Sequence, residues 1–291
     1  MSHGPTFYSS RGYCIYCRAE GVRLTDEHIV PYSLGGNHVL RDASCDHCAK
    51  ITSKVELKIA RELWGQARQS FGATSRRKKR KGKTQIVPDG ENIGRFQAVP
   101  NEEVPAIFAF YHMPPAGILL GLNETFDTLP FWKMSAIADS NRQEQFERKY
   151  GFKPAVGFRH QPKEFGQLLL KIGYGQALTH LDCQDFEAIC IPYILGEKSN
   201  VSWLVGTNMG ESEALLDIGY SLGTKAFGTT ELLYIISDIK LWANTFMPWY
   251  HAVVGRVQGR DKVRFVVEKL NSINASTTIN SPEPTRLRNR I

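Results

Sequence analysis

The sequence predicts an α+β protein that combines a small, cysteine-rich N-terminal unit with a larger α+β domain built on an antiparallel sheet. Two Cys-x-x-Cys pairs lie within the first 48 residues and are followed by a helical pattern. From residue 93, β-branched and aromatic runs of strand length alternate with apolar helical runs. Hydrophobic residues make up 42% of the 291 residues, which is enough to bury a core and excludes a wholly disordered chain.

Composition divides the chain into four segments. The cysteine-rich unit is predicted over residues 1–71, and residues 72–92 have the Gly, Ser, Pro and unshielded charge of a basic linker or arm. The α+β domain, whose role the sequence does not reveal, is predicted over residues 93–270. The polar residues 271–291 are predicted to form a flexible tail.

The α+β domain is expected to mix strands and helices along its length. Strands are predicted for RFQAV, AIFAFYH, FWKMSAIA, VSWLVGT, LLYIISDIKLW, HAVVGRV and KVRFVVEKL. Helices are predicted for RQEQFERKYG, PKEFGQLLLKIGYGQALTHL and DFEAICIPYIL. The last three strands are expected to form an antiparallel meander.

Positive charge is concentrated towards the N-terminus. The chain has 36 Lys and Arg against 29 Asp and Glu, a net charge of +7. Residues 1–85 contain 16 basic and 7 acidic side chains, whereas the remainder contains 20 and 22. This asymmetry predicts a polyanionic partner for the N-terminal part, and a solvated linker is the competing explanation for the most basic run. That run contains Arg76, Arg77, Lys78, Lys79, Arg80 and Lys81.

The two cysteine pairs, Cys14-x-x-Cys17 and Cys45-x-x-Cys48, have the spacing of a structural zinc site. Each tight turn supplies two sulfurs, so four thiolates can surround one Zn²⁺. Two disulfides or a redox pair are the alternatives. The sequence contains no continuous apolar span for a bilayer and no secretory signal, so we expect a cytoplasmic protein with reduced thiols and no membrane partner.

The helix predicted near residues 46–70 has a cationic face. Its basic side chains fall within about 80° of one another at 100° per residue, opposite an apolar stripe. Such a face is suited to a phosphate backbone, although charges opposite a core stripe are also common on surface helices. The residues are Lys50, Lys54, Lys58, Arg61 and Arg68.

An acid–histidine pair, Glu27–His28, lies between the cysteine pairs in the stretch LTDEHIVPYSLGGNHVLRDAS. The stretch has the pattern strand, loop, strand, helix, with His28 at a strand end. The series C-x-x-C, EHIVP, LGG and C-x-x-C resembles the HNH endonucleases, and in particular their zinc-knuckled branch, over residues 12–70. The nuclease core of that family is a ββα-metal motif, so the resemblance implies this fold for the N-terminal unit.

The resemblance also implies chemical roles for individual residues. His28 would be the general base that takes a proton from the attacking water. Glu27 would be a ligand of a single catalytic metal, Mg²⁺ or another divalent ion. The residue that orients the histidine in the family is best matched by Asn37, with Asp42 as a rival.

The sequence departs from the family at Ala49, directly after the second cysteine pair, where the family has a metal-ligating His or Asn. Alanine has no donor atom. His47 is the tentative replacement ligand, and His38 and Thr52 are further candidates. Otherwise the ligand is missing, which would weaken the metal site or abolish cleavage.

The first hypothesis is therefore a metal-dependent endonuclease that hydrolyses phosphodiester bonds of double-stranded DNA with His28 as general base, with RNA as the alternative substrate. A second hypothesis, favoured by Ala49, is a catalytically degenerate, zinc-stabilised protein that binds nucleic acid without cutting it. A third places the function in the α+β domain, as a unit that binds a protein or a small ligand.

Overall fold

The computed structural model has the predicted α+β architecture. The N-terminal unit contains a strand–strand–helix arrangement, and the rest of the described chain contains antiparallel sheets and helices. The structure describes residues 4–65, 84–105, 107–138, 140–155, 157–208, 219–243 and 245–279.

The N-terminal unit contains three strands and one long helix. The strands are β1 (Thr6–Tyr8), β2 (Leu24–His28) and β3 (His38–Cys45), in the order β1-β3-β2. β1 is parallel to β3, and β2 is antiparallel to it. Helix α1 (Asp46–Glu62) begins directly after β3. A chain reversal with a short 3-10 turn at Tyr32–Leu34 connects β2 to β3.

Two antiparallel strand pairs and one short helix follow the N-terminal unit. Strands β4 (Thr84–Pro88) and β5 (Phe96–Pro100) form an antiparallel hairpin, which packs with helix α2 (Ser140–Tyr150). Alternate residues of the two strands point inward. Together with residues of α2 and the neighbouring turns, they form a small core that is separate from the main one. Strands β6 (Ile107–His112) and β7 (Lys133–Ala138) form a second antiparallel pair. The small core consists of Val87, Val99, Val104, Phe146 and Phe152.

The C-terminal region is built on a four-stranded antiparallel sheet in the order β8-β11-β10-β9. Helix α3 precedes the sheet, together with the single turn α4, and helix α5 follows it. The bounds are α3 (Pro162–Ala177), α4 (Ile191–Ile194), β8 (Val205–Thr207), β9 (Tyr220–Gly228), β10 (Leu232–Leu241), β11 (Tyr250–Gln258) and α5 (Arg260–Ile279).

Helix α3 is the centre of the main core. Its residues from Phe165 to Ala177 are all buried. One side packs on the four-stranded sheet, where the hydroxyl of Ser237 donates to the carbonyl of Gly173 at 2.7 Å. Another side meets the N-terminal unit, so one continuous apolar cluster contains residues of both regions. None of the described helices is both long and apolar enough to cross a bilayer.

Several sequence-based element predictions are wrong. KVRFVVEKL is part of helix α5, because Val263, Val266 and Leu270 recur with helical spacing and are buried on one side. DFEAICIPYIL contains only the single turn α4, since residue 187 is bridged to β11 instead. VSWLVGT begins with a 3-10 turn before β8. Helix α5 also includes the first nine residues, 271–279, of the segment expected to be a tail.

The packing of α3 predicts opposite outcomes for two substitutions in the same helix. A Cβ at Gly173 would lie 2.8 Å from the Cβ of Ala252 and 3.2 Å from that of Ser237. We therefore expect Gly173→Ala to lower the free energy of unfolding by about 1–3 kcal/mol through overpacking. A Cβ at Gly175 would meet Ile29 at an ordinary 3.4 Å, so Gly175→Ala is the matched control.

Gly175→Ala is expected to be neutral or to gain up to about 1 kcal/mol from helix propensity. Urea denaturation of the two variants measures the difference. Equal stability of both would contradict the close contact between α3 and the sheet.

Candidate metal centre and active site

Four cysteine side chains converge in the N-terminal unit. The Sγ atoms of Cys14, Cys17, Cys45 and Cys48 all lie within 4.8 Å of one another, and those of Cys17 and Cys45 are 3.6 Å apart. Three of the side chains are buried, and Cys17 is exposed. Among the described residues this is the only group of three or more His, Cys, Asp or Glu side chains arranged to hold a metal ion.

Local backbone geometry brings the two pairs together. In the first turn, the N–H of Arg18 donates to the carbonyl of Cys14 at 2.9 Å, and the N–H of Cys14 donates to the carbonyl of Ala19 at 3.0 Å. Cys45 ends β3 and Cys48 lies in the first turn of α1. The cluster therefore joins the first turn to the point where the hairpin becomes the helix.

The cluster fits a zinc ion. Sulfurs about 2.3 Å from a tetrahedral Zn²⁺ are on the order of 3.8 Å apart, which agrees with the observed grouping. Burial raises the pKa of Cys48. At Cys45, burial is outweighed by hydrogen bonds from the Cys48 backbone and the neighbouring thiols, which lower the pKa to about 7. A bound cation would stabilise four thiolates in this volume.

Glu27 lies in the core and contacts a lysine. Its side chain is buried, and its Oε1 atom is 2.8 Å from Nζ of Lys171 on helix α3. The same ammonium is 2.8 Å from Oε1 of Glu56 on α1. Burial opposes the charge of Lys171, but the two carboxylates outweigh burial and raise its pKa, so the side chain is charged at neutral pH.

His28 is the last residue of β2 and is half-buried. Its side chain points to the opposite side of the sheet from Glu27, because successive residues of a strand alternate. The imidazole ring lies against Tyr32, with the ring centroids 5.5 Å apart. Its backbone carbonyl accepts a hydrogen bond from Lys171. The residue is therefore positioned through both its ring and its backbone.

Asn37 is connected to the C-terminal sheet. The hydroxyl of Tyr220, the first residue of β9, donates to Oδ1 of Asn37 and accepts the Asn37 N–H at 3.2 Å. The neighbouring His38 has its Nδ1 atom 2.8 Å from the hydroxyl of Tyr8, and burial lowers the pKa of His38. Asp42, the rival of Asn37, is exposed, and its N–H donates to a carboxylate of β2 at 3.1 Å.

The side chains near Ala49 do not add a second metal-ligand group. His47 is exposed in the first turn of α1. Thr52 is buried, and its hydroxyl donates to the carbonyl of Ala49 at 3.3 Å. Because the carboxylate of Glu27 is paired with the ammonium of Lys171, it does not fit the predicted role of ligand to a catalytic divalent metal. The ligand role of His47 stays a prediction.

Helix α1 has an exposed cationic face. Lys50, Lys54 and Arg61 are exposed. Lys58 is half-buried, and its Nζ atom lies 2.5 Å from Oε1 of Glu164 on α3, so its charge is partly neutralised. The remaining predicted phosphate contacts lie outside the described residues; they are Arg76, Arg77, Lys78, Lys79, Arg80 and Lys81.

A strand–strand–helix unit joined by four cysteines defines a ββα metal-binding region, and a family comparison identifies its type. Residues 14–63 match the family model described as HNH endonuclease. The N-terminal part of the chain is therefore an HNH endonuclease region with a zinc-knuckle cysteine cluster. No curated protein and no solved structure matches the chain.

Sequence reasoning missed three residues of this site. Lys171 lies 143 positions from His28, whose carbonyl it contacts, yet the sequence contained a signal: it is a lone charge in the apolar run LLLKIGYG. Nothing in the sequence distinguishes Glu56 from the other charges of α1. Tyr220 has no sequence signal, because its contact with Asn37 depends on how β9 lies beside the hairpin.

The cysteine cluster predicts the metal content of the purified protein. Elemental analysis should find about one zinc per chain. Cys48→Ser should lose that zinc, because it removes one of four ligands. Cys183→Ser is the matched control: Cys183 is buried too but contacts the hydroxyl of Tyr174, and its variant should keep the zinc. Equal zinc content in both variants would show that the cluster is not the metal site.

Proposed function

We propose that the protein is a nuclease that hydrolyses phosphodiester bonds of double-stranded DNA, with His28 as the general base. The single observation that carries the proposal is the HNH endonuclease match over residues 14–63, which contains His28 at a strand end. In this proposal the four cysteines hold a structural Zn²⁺. A requirement for Mg²⁺ or another divalent ion is part of the proposal.

His28 has the properties that a general base needs. An imidazole has a pKa near physiological pH, so it can take a proton from the water that attacks the phosphate. Its Nδ1 atom is buried, and we propose Nε2 as the nitrogen that faces the water. Contacts of the ring with Tyr32 and of the carbonyl with Lys171 support a fixed orientation. Asn37, directly before β3, would assist and is held by Tyr220.

The charge distribution supports a nucleic-acid substrate. The exposed cations Lys50, Lys54 and Arg61 lie on the helix of the HNH region, and the basic run over residues 76–83 follows it in sequence. Contacts of this kind neutralise phosphates and release counterions, so they give affinity without base preference. The double helix is proposed because an extended basic surface suits its regular phosphate backbone.

A second candidate function is a nucleic-acid-binding protein built on a degenerate HNH region. Two observations favour it. Ala49 occupies the position at which the family has a metal ligand. The carboxylate of Glu27, which the family resemblance assigns to the metal, is 2.8 Å from the ammonium of Lys171. In this alternative the cysteine cluster maintains the fold of the HNH region, and the exposed cations of α1 bind the phosphate backbone of the nucleic acid.

A plasmid assay separates the two candidates. The protein is incubated with supercoiled DNA and Mg²⁺, Mn²⁺ or Ni²⁺, and nicking is followed on a gel. We expect His28→Ala to abolish nicking, because the attacking water loses its base; removal of a general base typically costs about 10²–10⁴-fold. His112→Ala, at the exposed end of β6, is the control and should cut like the wild type.

Equal nicking by His28→Ala and the wild type would contradict the role of His28. If the wild type retards DNA without nicking it in any of the three metals, the nuclease proposal fails and the binding protein is favoured.

The basic run predicts the salt dependence of DNA binding. Replacing the Lys and Arg side chains of residues 76–83 by Gln should weaken binding. It should also flatten the plot of log affinity against log salt by about 0.9 for each phosphate that the protein no longer neutralises. Lys262→Gln, an exposed position on α5, is the control and should leave the slope unchanged. An unchanged slope in the first variant would mean that the run is only a solvated linker.

A further inference from the structure

We propose that Lys171 takes the place of a divalent metal in the HNH region: its ammonium fills the position between Glu27 and Glu56, and this acidic pair binds no metal ion. The inference rests on the proposed function only for the role that the family resemblance gives to Glu27.

The contacts of Lys171 complete the coordination of an ammonium. Its Nζ atom lies 2.8 Å from Oε1 of Glu27 and 2.8 Å from Oε1 of Glu56. It also donates to the carbonyl of His28 and lies 3.2 Å from the carbonyl of Ile29. An ammonium has three N–H groups, so these four oxygen atoms are enough to satisfy all of its donors. Two carboxylates and two carbonyls are also a typical set of oxygen ligands for a hard cation.

Space acts against an additional ion, and the position between the two carboxylates is already filled. The cavity beside Lys171, lined by Thr52, Glu56 and Gln167 among others, has no volume open to a water molecule. Mg²⁺ dehydrates reluctantly and usually keeps several of its waters, which this cavity does not accommodate. The side chain of Lys171 is only 3% exposed, and its ammonium already contacts both carboxylates, so a metal ion at this position would have to displace it. A metal that supports cleavage would have to find its ligands elsewhere.

The contacts of Lys171 link the helix at the centre of the main core to the end of β2. The carbonyls of His28 and Ile29 and the carboxylate of Glu27 all belong to this strand end and converge on one atom of α3. The metal of a ββα unit would connect the hairpin to its own helix. Here the ammonium connects β2 to Glu56 of α1 in the same way and adds α3 to the assembly.

The first test compares metal binding by the zinc-loaded wild type and Glu27→Gln, with free Mn²⁺ followed by its electron paramagnetic resonance signal. We expect the two Mn²⁺ binding curves to superimpose, whether or not Mn²⁺ binds at some other site. A Mn²⁺ site that is present in the wild type and absent from Glu27→Gln would overturn the proposal. The side chain of Gln has the size of Glu, so Lys171 keeps its contact with Glu56.

The second test removes the ammonium and opens space in its place. Lys171→Ala leaves the buried carboxylate of Glu27 and the half-buried carboxylate of Glu56 without a cation, so its melting temperature should fall, and Mn²⁺ should raise it again. The double variant Lys171→Ala/Glu27→Gln should lose this rescue by Mn²⁺. A folded Lys171→Ala variant whose melting temperature does not respond to Mn²⁺ would contradict an exchange of ammonium for metal. If Lys171→Ala does not fold, the first comparison still decides.

Neither measurement uses DNA cleavage. Failure of the plasmid assay therefore leaves this proposal standing, and a Mn²⁺ site that depends on Glu27 would overturn it while leaving the nuclease proposal intact.

Discussion

The convergence of four sulfur atoms is the constraint on which the rest of the HNH region depends. The Sγ atoms of the four cysteines lie within 4.8 Å of one another, and a metal ion bound to them would connect the turn after β1 to the junction of β3 and α1. The hairpin that carries His28 lies between these two points of the chain. Because the unit has only three short strands and one helix, a metal-stabilised junction offsets the small apolar area that it can bury alone.

The C-terminal region also stabilises the HNH region, because helix α3 and the N-terminal unit share one apolar core. Helix α3 places the hydroxyl of Tyr174 2.8 Å from the carbonyl of Ile15 in the first cysteine turn, and it places Lys171 beside Glu27. The guanidinium of Arg11, in the N-terminal unit, donates to the carbonyl of Leu178 at 2.6 Å. Burying these charges and dipoles is costly unless each is paired, so the contacts favour one specific arrangement of the two regions.

Features encoded locally could be predicted from the sequence, and features that depend on distant contacts could not. The cysteine spacing and the apolar period of α1 are local signals, and both agree with the structure. The valines of helix α5 have high β-propensity and predict a strand, yet the helical spacing of its buried residues decides the outcome. The pairing of Lys58 with Glu164 spans 106 positions, so the sequence overstated the free charge on α1. The contact between Lys171 and Glu27 also joins residues that are far apart in the sequence, so local patterns do not predict it.

The proposed role of His28 depends on a scaffold that four thiolates around one zinc ion hold together. X-ray absorption at the zinc edge of the purified protein tests this dependence, because it counts the atoms bound to the metal. Four thiolate ligands predict a single shell of four sulfur scatterers at about 2.3 Å. A shell that contains nitrogen or oxygen neighbours, or fewer than four sulfurs, would contradict it.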